Sequence, residues 1–156
     1  CRVVAVELSP QAVDYASRNV AGHQVEVRCG DIADAVDDLA GQVQVVTANP
    51  PYIPLTAYES VAVEARQFDP PSALWAGDDG LQMIRAVAEV AARLLTDGGL
   101  VLCEHADVQG DTAPAVFAAS GRWVDVRDCD DLAGRPRFVS ARRALRSSGT
   151  PGTMTG

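Results

Sequence analysis

Asn49, Pro50, Pro51 and Tyr52 stand in a row directly behind an apolar run, "VQVVTA", and that order of residue types suits one kind of chemistry. Each proline pushes the residue before it toward extended backbone, so Asn49 and Pro50 are stiff before any ligand arrives. The Asn49 side-chain oxygen and the Pro50 carbonyl then offer two acceptors at a fixed separation. A planar NH2 group, with two N–H donors in one plane, needs such a pair. Tyr52 adds a ring able to stack on the same plane. The competing reading is a strand terminator followed by a proline-rich surface loop.

Three further polar residues close apolar runs. Glu7 ends "RVVAVEL", where nucleotide-binding α/β domains place an acid that accepts from both ribose hydroxyls; a solvated strand-end acid is the plain alternative. Asp31, in Gly30-Asp31-Ile32, follows "QVEVRC". Its carboxylate can accept from an exocyclic adenine amine while Ile32 packs on the ring, or it can cap a helix start. Glu104 ends "LVLCE" and is followed by His105, with no metal-ligand spacing around it.

For these side chains to meet, the elements must bring several strand ends to one edge. "RVVAVEL" is valine-rich, as strands buried on both faces of a parallel sheet are. Ser9 and Pro10 then supply an N-cap and a first-turn proline, Ala12, Val13, Ala16 and Val20 form one helical face, and Gly22 suits a left-handed cap. "QVEVRC" reads as a strand, "AVDDLAG" as a short helix or turn, and "VQVVTA" as a third strand. Residues 53–79 are irregular, and the five prolines from Pro50 through Pro71 mark a long loop of the kind that carries function. Leu81, Ile84, Val87, Ala88, Ala91, Leu94 and Leu95 follow a 3.6-residue period, which predicts a helix of about four turns stopped by Asp97 to Gly99. "LVLCE" is then a strand, Asp107 to Ala119 a helix with Pro114 inside it, and "RWVDVRD" and "RFVSARRA" two strands joined by "CDDLAG". This order predicts an α/β, doubly wound sheet with a C-terminal antiparallel hairpin. Such sheets bind ligands beyond the carboxyl ends of their strands, where Glu7, Asp31, Asn49 and Glu104 fall. Residues 1–145 make one domain, and 146–156, without core-forming residues, a disordered tail.

Composition removes several function classes. A formal charge of −8 argues against a large nucleic-acid footprint, which needs a basic patch, and no run approaches the length of a membrane helix. The four cysteines are scattered, with no CxxC pair, so neither a zinc site nor a disulfide framework is expected and a reducing, cytoplasmic setting fits. Every basic residue among the 13 is an arginine, a bias that points to a GC-rich coding sequence. The first residue is Cys1 and the first residues already read as a strand, so the chain is expected to be a fragment whose natural start lies upstream.

"NPPY" behind an apolar strand resembles the signature of S-adenosylmethionine-dependent methyltransferases that act on planar nitrogens. With "FDPPSALWAGDDGL" and "EHADVQGD", the chain from about Val3 to Arg142 resembles the release-factor glutamine methyltransferase family (HemK/PrmC type). The resemblance implies a class I, Rossmann-like methyltransferase fold, S-adenosyl-L-methionine as cofactor, and N5-methylation of the glutamine in the GGQ motif of peptide chain release factors. It assigns Glu7, Leu8, Asp31 and Ile32, with Asn49, to cofactor binding, and Asn49, Pro50, Pro51 and Tyr52 to the substrate amide, Asn49, Pro50 and Tyr52 being catalytic. Phe68, Pro70, Ala73, Leu74, Asp79 and Gly80 match the block after the substrate loop, Gly80 permitting the helix to start. Pro71 stands where an arginine is common, and Ala76 where a glycine is. The family's glycine-rich loop and its small helical domain are not in this sequence, so one strand of the sheet and the backbone around the methionine part are expected to be lacking. His105 is expected on the cofactor-side wall, His23 exposed, and Trp75 and Trp123 in packing. The resemblance implies release factors as partners, with no direct nucleic acid, no membrane and no metal. Two other readings stand beside it: an amino-methyltransferase acting on adenine or cytosine, and a noncatalytic partner-binding domain with the same fold.

Overall fold

Parallel strands need a crossover between them, and the first one here is built from local signals. β1 (Val3–Glu7) and β2 (Val25–Cys29) pair in parallel from Val3 against Val25 to Glu7 against Cys29. α1 (Pro10–Asn19) joins them, with the Ser9 hydroxyl accepting from the Ala12 N–H and Pro10 in the first turn. Gly22 beyond its end has a φ of 85°, the left-handed conformation expected of it. These features belong to a computed structural model that describes residues 1–53 and 77–146. The expectations attached to Phe68, Pro70, Pro71, Ala73, Leu74, Trp75 and Ala76, most of the 53–79 loop, and the tail beyond Arg146 lie outside the described residues.

The second sheet carries most of the core. β3 (Val43–Ala48), α2 (Gln82–Leu94) and β4 (Leu95–Glu104) form a parallel unit, and α3 (Thr112–Ala118) leads to the antiparallel pair β5 (Trp123–Asp130) and β6 (Pro136–Arg143). The sheet order is β3-β4-β6-β5, so the final strand inserts between β4 and β5. Ile84, Val87, Ala88, Ala91, Ala92 and Leu94 of α2 are buried, matching the predicted face. All of these but Leu94 pack with Leu95, Val101 and Cys103 of β4, Val139 and Ala141 of β6, and Ala113 and Phe117 of α3. Trp123 packs as expected, its ring edge-on to Phe117 with centroids 5.4 Å apart. Deleting a fully buried aromatic side chain such as Phe117 costs about 3–5 kcal/mol.

Three boundaries differ from the sequence expectation. Asp97 to Gly99 does not end α2. The helix stops at Leu94, and the glycines sit inside β4. There they absorb a register shift: Val43 faces Leu95 but Val45 faces Leu100. Gly98 has a φ of 75°, and a Cβ on Gly99 would stand 2.9 Å from the Thr96 carbonyl oxygen. Asp107 to Ala119 is not one helix either. A 3₁₀ turn, Asp107–Gln109, precedes α3, because Gly110 is pressed against β6, where a Cβ would meet Pro136 at 2.9 Å. Pro114 then falls in the first turn of α3, where its missing N–H has no intrahelical partner to lose. Finally, β5 runs to Asp130 and takes in the first residues of the expected connection.

The expected single sheet is divided. No ladder joins β1 to β3 among the described residues. A cluster of Val36, Leu39 and Leu94, with Val4, Val6, Val43 and Val46 around it, packs the two sheets together. Val3 and Val45, beside the break, are 43% and 53% exposed. Open valine-rich edges template pairing with other chains. The 156-residue chain expressed alone is therefore expected to self-associate in light scattering, and Val45→Lys to reduce that association. A monomer that melts cooperatively would speak against open edges at β1 and β3.

Candidate active site

β3 delivers the tetrapeptide. Its last residue, Ala48, is level with Cys103 of β4, so Asn49 emerges beside Glu104 as both strands end. Asn49 is exposed, Pro50 buried, and Pro51 and Tyr52 half-buried. The prolines thus hold the backbone in the protein while the amide faces outward. The Tyr52 carbonyl accepts from Gln109 Nε2 at 3.4 Å, and the same nitrogen donates to the Gly80 carbonyl at 3.2 Å. Glu104 lies 3.8 Å from Arg137 Nη1.

The other predicted residues gather at the ends of β1 and β2. Glu7 is half-buried, and its Oε1 accepts the Ser9 N–H at 2.8 Å, which orients the carboxylate and leaves Oε2 outside that bond. The Gly30 N–H donates to the Glu7 carbonyl at 3.0 Å, bringing Gly30, Asp31 and Ile32 next to Glu7. Gly30 has a φ of 150°, which suits a residue without a Cβ. Asp31 is exposed; its Oδ1 accepts from the Ala33 N–H at 2.8 Å and its carbonyl from the Ala35 N–H at 2.9 Å, so one oxygen serves a turn; no helix starts there for it to cap, since the next helical turn, Asp37–Leu39, has Val36 at its N-cap. Ile32 packs on the main core, and Leu8 is exposed. The structure therefore assembles two groups, Glu7 with Asp31 and Ile32, and Asn49 to Tyr52 with Glu104. No hydrogen bond joins the two among the described residues.

His105, expected on the cofactor-side wall, lies inside the protein. It is fully buried, its Nδ1 lies 2.8 Å from the Ala106 carbonyl oxygen, and its Nε2 lies 3.0 Å from Asp128 Oδ1. It braces the end of β4 against β5. His23 is exposed, as expected. Sequence reasoning missed Gln109 and Asp128. Gln109 lies in the quoted "EHADVQGD" stretch, yet a single glutamine in a turn carries no periodicity from which burial can be read.

The start of α2 is held by Asp79 and Gly80. Gly80 has a φ of 72°, as the helix start requires. Asp79 Oδ1 accepts from the Leu81 N–H at 3.0 Å, and its Oδ2 pairs with Arg85 Nη2 at 2.5 Å. Arg85 first, and then the Leu81 N–H, hold this carboxyl at about 2.

Alternating strands and helices, a parallel core with an antiparallel last pair, and polar residues at the carboxyl ends define a class I S-adenosylmethionine-dependent methyltransferase fold. In agreement, the structure superposes on a methyltransferase from Pyrococcus furiosus with a TM-score of 0.63 at 16% identity, over 93% of this chain and 64% of that one. Within that class, the chain matches release factor glutamine methyltransferases over nearly its whole length. The one from Streptomyces coelicolor is 51% identical over 144 residues, which are 92% of this chain and 51% of that protein. A Streptomyces pristinaespiralis protein named as a 4-amino-L-phenylalanine/4-methylamino-L-phenylalanine methyltransferase is 48% identical over 122 residues, 78% of this chain and 41% of that protein. The chain spans about half the length of the curated relatives it matches. No protein-family model matches it.

The lowered Asp79 carboxyl sets a pH dependence. Its folded value of about 2 lies below the ordinary value of about 3.9, so its contribution is fully present above about pH 4 and is lost as pH falls toward 2. Asp79→Asn is expected to lower the melting temperature modestly at pH 6, the pair being exposed, and the difference is expected to vanish near pH 2. An equal difference at both pH values would place the effect elsewhere.

Proposed function

We propose that this chain is the catalytic part of an S-adenosylmethionine-dependent methyltransferase that acts on the side-chain amide nitrogen of the glutamine in the GGQ motif of peptide chain release factors. The observation that carries the reading is the seating of Asn49 to Tyr52 at the carboxyl end of β3, with Pro50 buried and Asn49 exposed. The likeness to release factor glutamine methyltransferases over 92% of the chain supports it.

The residues at the ends of β1 and β2 fit the cofactor's polar outline. Glu7 Oε2 lies outside the bond that orients the carboxylate and can accept from ribose hydroxyls. Asp31 Oδ2 lies outside the turn bond made by Oδ1 and can accept from an adenine amine, with Ile32 and Leu8 offering apolar surface. S-adenosylmethionine, when bound, supplies a methyl group already activated by its sulfonium.

What this chain adds is orientation. A carboxamide nitrogen is a poor nucleophile because its lone pair is delocalised into the carbonyl. The Asn49 side-chain oxygen and the Pro50 carbonyl accept its two N–H donors and fix the plane of the group, and Tyr52 packs against it. The same two oxygens stabilise positive charge as it grows on nitrogen. No strong base is required, because the nitrogen becomes acidic only once alkylated and its proton then passes to water.

A second reading is supported by the Streptomyces pristinaespiralis relative, whose name gives an aromatic amine as its substrate. An arylamine also presents a flat NH2 group, and the same pair of acceptors suits it. Mass spectrometry separates the two: given S-adenosylmethionine and, in separate incubations, a release factor or 4-amino-L-phenylalanine, the full-length protein is expected to methylate the GGQ glutamine of the release factor. Methylation of the amino acid alone would favour the second reading.

Two substitutions test the roles in the full-length protein. Asn49→Ala is expected to lower methyl transfer by roughly two orders of magnitude, the scale for one oriented group at a reacting centre, with cofactor affinity nearly unchanged. Near-normal turnover would remove the clamp. Glu7→Ala is expected to weaken S-adenosylmethionine binding by roughly 1.5 to 3 kcal/mol, the range for hydrogen bonds to a charged group. Unchanged affinity in calorimetry would leave Glu7 a strand-end acid.

A further inference from the structure

Gln109 has no part in the chemistry described above, yet it is one of two polar side chains buried among the described residues, the other being His105. Its oxygen accepts the Ala106 N–H at 3.0 Å. Its nitrogen donates to the carbonyls of Gly80, at 3.2 Å, and Tyr52, at 3.4 Å. One planar amide therefore spends its acceptor on its own turn and its donors on two remote backbone segments. Those segments are the end of the Asn49 to Tyr52 stretch and Gly80, which precedes Leu81, the N-cap of α2. The Gly80 carbonyl is buried, where lacking a donor is costly, and the Tyr52 carbonyl is partly buried, so this side chain ties the two segments to one point.

The turn that carries Gln109 is itself immobilised. The Gln109 N–H donates to the Ala106 carbonyl at 2.8 Å and the His105 N–H to the Arg137 carbonyl of β6 at 3.0 Å. The His105 ring reaches Asp128 of β5. A Cβ at Gly110 would stand 3.1 Å from Asp128 Oδ2 as well as against Pro136. The Gln109 amide thus hangs from a turn held by β4, β5 and β6.

We propose that Gln109 is a positioning residue that sets the orientation of the Asn49 to Tyr52 clamp, through the Tyr52 carbonyl, relative to the start of α2 at Gly80. The role rests on the clamp reading of that tetrapeptide. It predicts a loss in turnover at saturating substrate, because a misaligned clamp still lets the cofactor bind at Glu7.

The test uses Gln109→Leu and Gln109→Glu in the full-length protein. Leucine keeps the bulk and removes both donations. Glutamate keeps the shape and replaces the donating nitrogen by an oxygen, which donates only when protonated. Both variants are expected to fold, to bind S-adenosylmethionine within about twofold of wild type, and to lose between about ten- and a hundredfold in kcat, the scale for misplacing a reacting group by about an ångström. The Gln109→Glu to wild-type kcat ratio is expected to rise as pH falls from 8 to 6. Hydrogen exchange is expected to quicken together in residues 48–53 and 81–85 of Gln109→Leu and to stay unchanged in β1 and β2. Unchanged exchange in those segments overturns the proposal whether or not the release factor is the substrate. So does a kcat that falls only with the folded fraction. If wild type itself transfers no methyl group to the release factor while exchange changes as stated, the substrate reading fails and the positioning of the tetrapeptide stands.

Discussion

The parallel pairing of β3 with β4 is the constraint from which the rest of the site hangs. β4 is the most deeply buried strand, with Leu95, Val101 and Cys103 wholly inaccessible, and it pairs with β3 on one side and β6 on the other. Its burial pushes the Cys103 thiol up to about 12, with the neighbouring Glu104 adding to the shift, so this cysteine is a packing residue and not a nucleophile. Because Ala48 faces Cys103, Asn49 must leave the sheet where β4 ends, within reach of the turn that carries Gln109. Moving this register by one residue would turn every side chain of β3 to the other face.

The two halves of the site stand on unequal foundations. Asn49 to Tyr52 rises from the four-stranded sheet, covered by α2 and α3. Glu7 and Asp31 rise from a two-stranded unit whose crossover, α1, contributes no buried residue and which meets the larger sheet through a small valine and leucine cluster. Local opening costs least where few apolar contacts are made. Glu7 and Asp31 therefore stand on the more weakly braced unit, and Asn49 to Tyr52 are built into the main core.

The chemistry common to the substrates named for the relatives is a flat nitrogen that carries N–H, two in a carboxamide or a primary arylamine and one in a methylamino group. An amide and a primary arylamine differ in size and polarity beyond that nitrogen, and on the reading proposed above the pair of acceptors at Asn49 and Pro50 would not distinguish them. Discrimination has to come from surfaces around the clamp. The acidic balance of the chain, −8, disfavours a polyanionic substrate at those surfaces.

Much of the architecture was legible in the sequence because it rests on local signals. The 3.6-residue period from Leu81 to Leu94 marked the face of α2, Ser9 and Pro10 marked the start of α1, and two adjacent prolines behind a valine run marked the stiff segment that leaves β3. Errors fell where tertiary contacts outweigh propensity. Asp97 to Gly99 looked like a helix stop because glycines usually end helices, but β3 beside it turned them into a bulge. Asp107 to Ala119 looked like one helix, but the crowding of Gly110 against Pro136 split it. By itself the sequence determined which residue types stand at the ends of which strands, since strand period, caps and proline stiffness act over a few residues. Only the tertiary structure decided that one glutamine amide holds the backbone at both Tyr52 and Gly80, because that contact joins residues 57 and 29 positions apart along the chain and exists only once β4, β5 and β6 have fixed the turn beneath it.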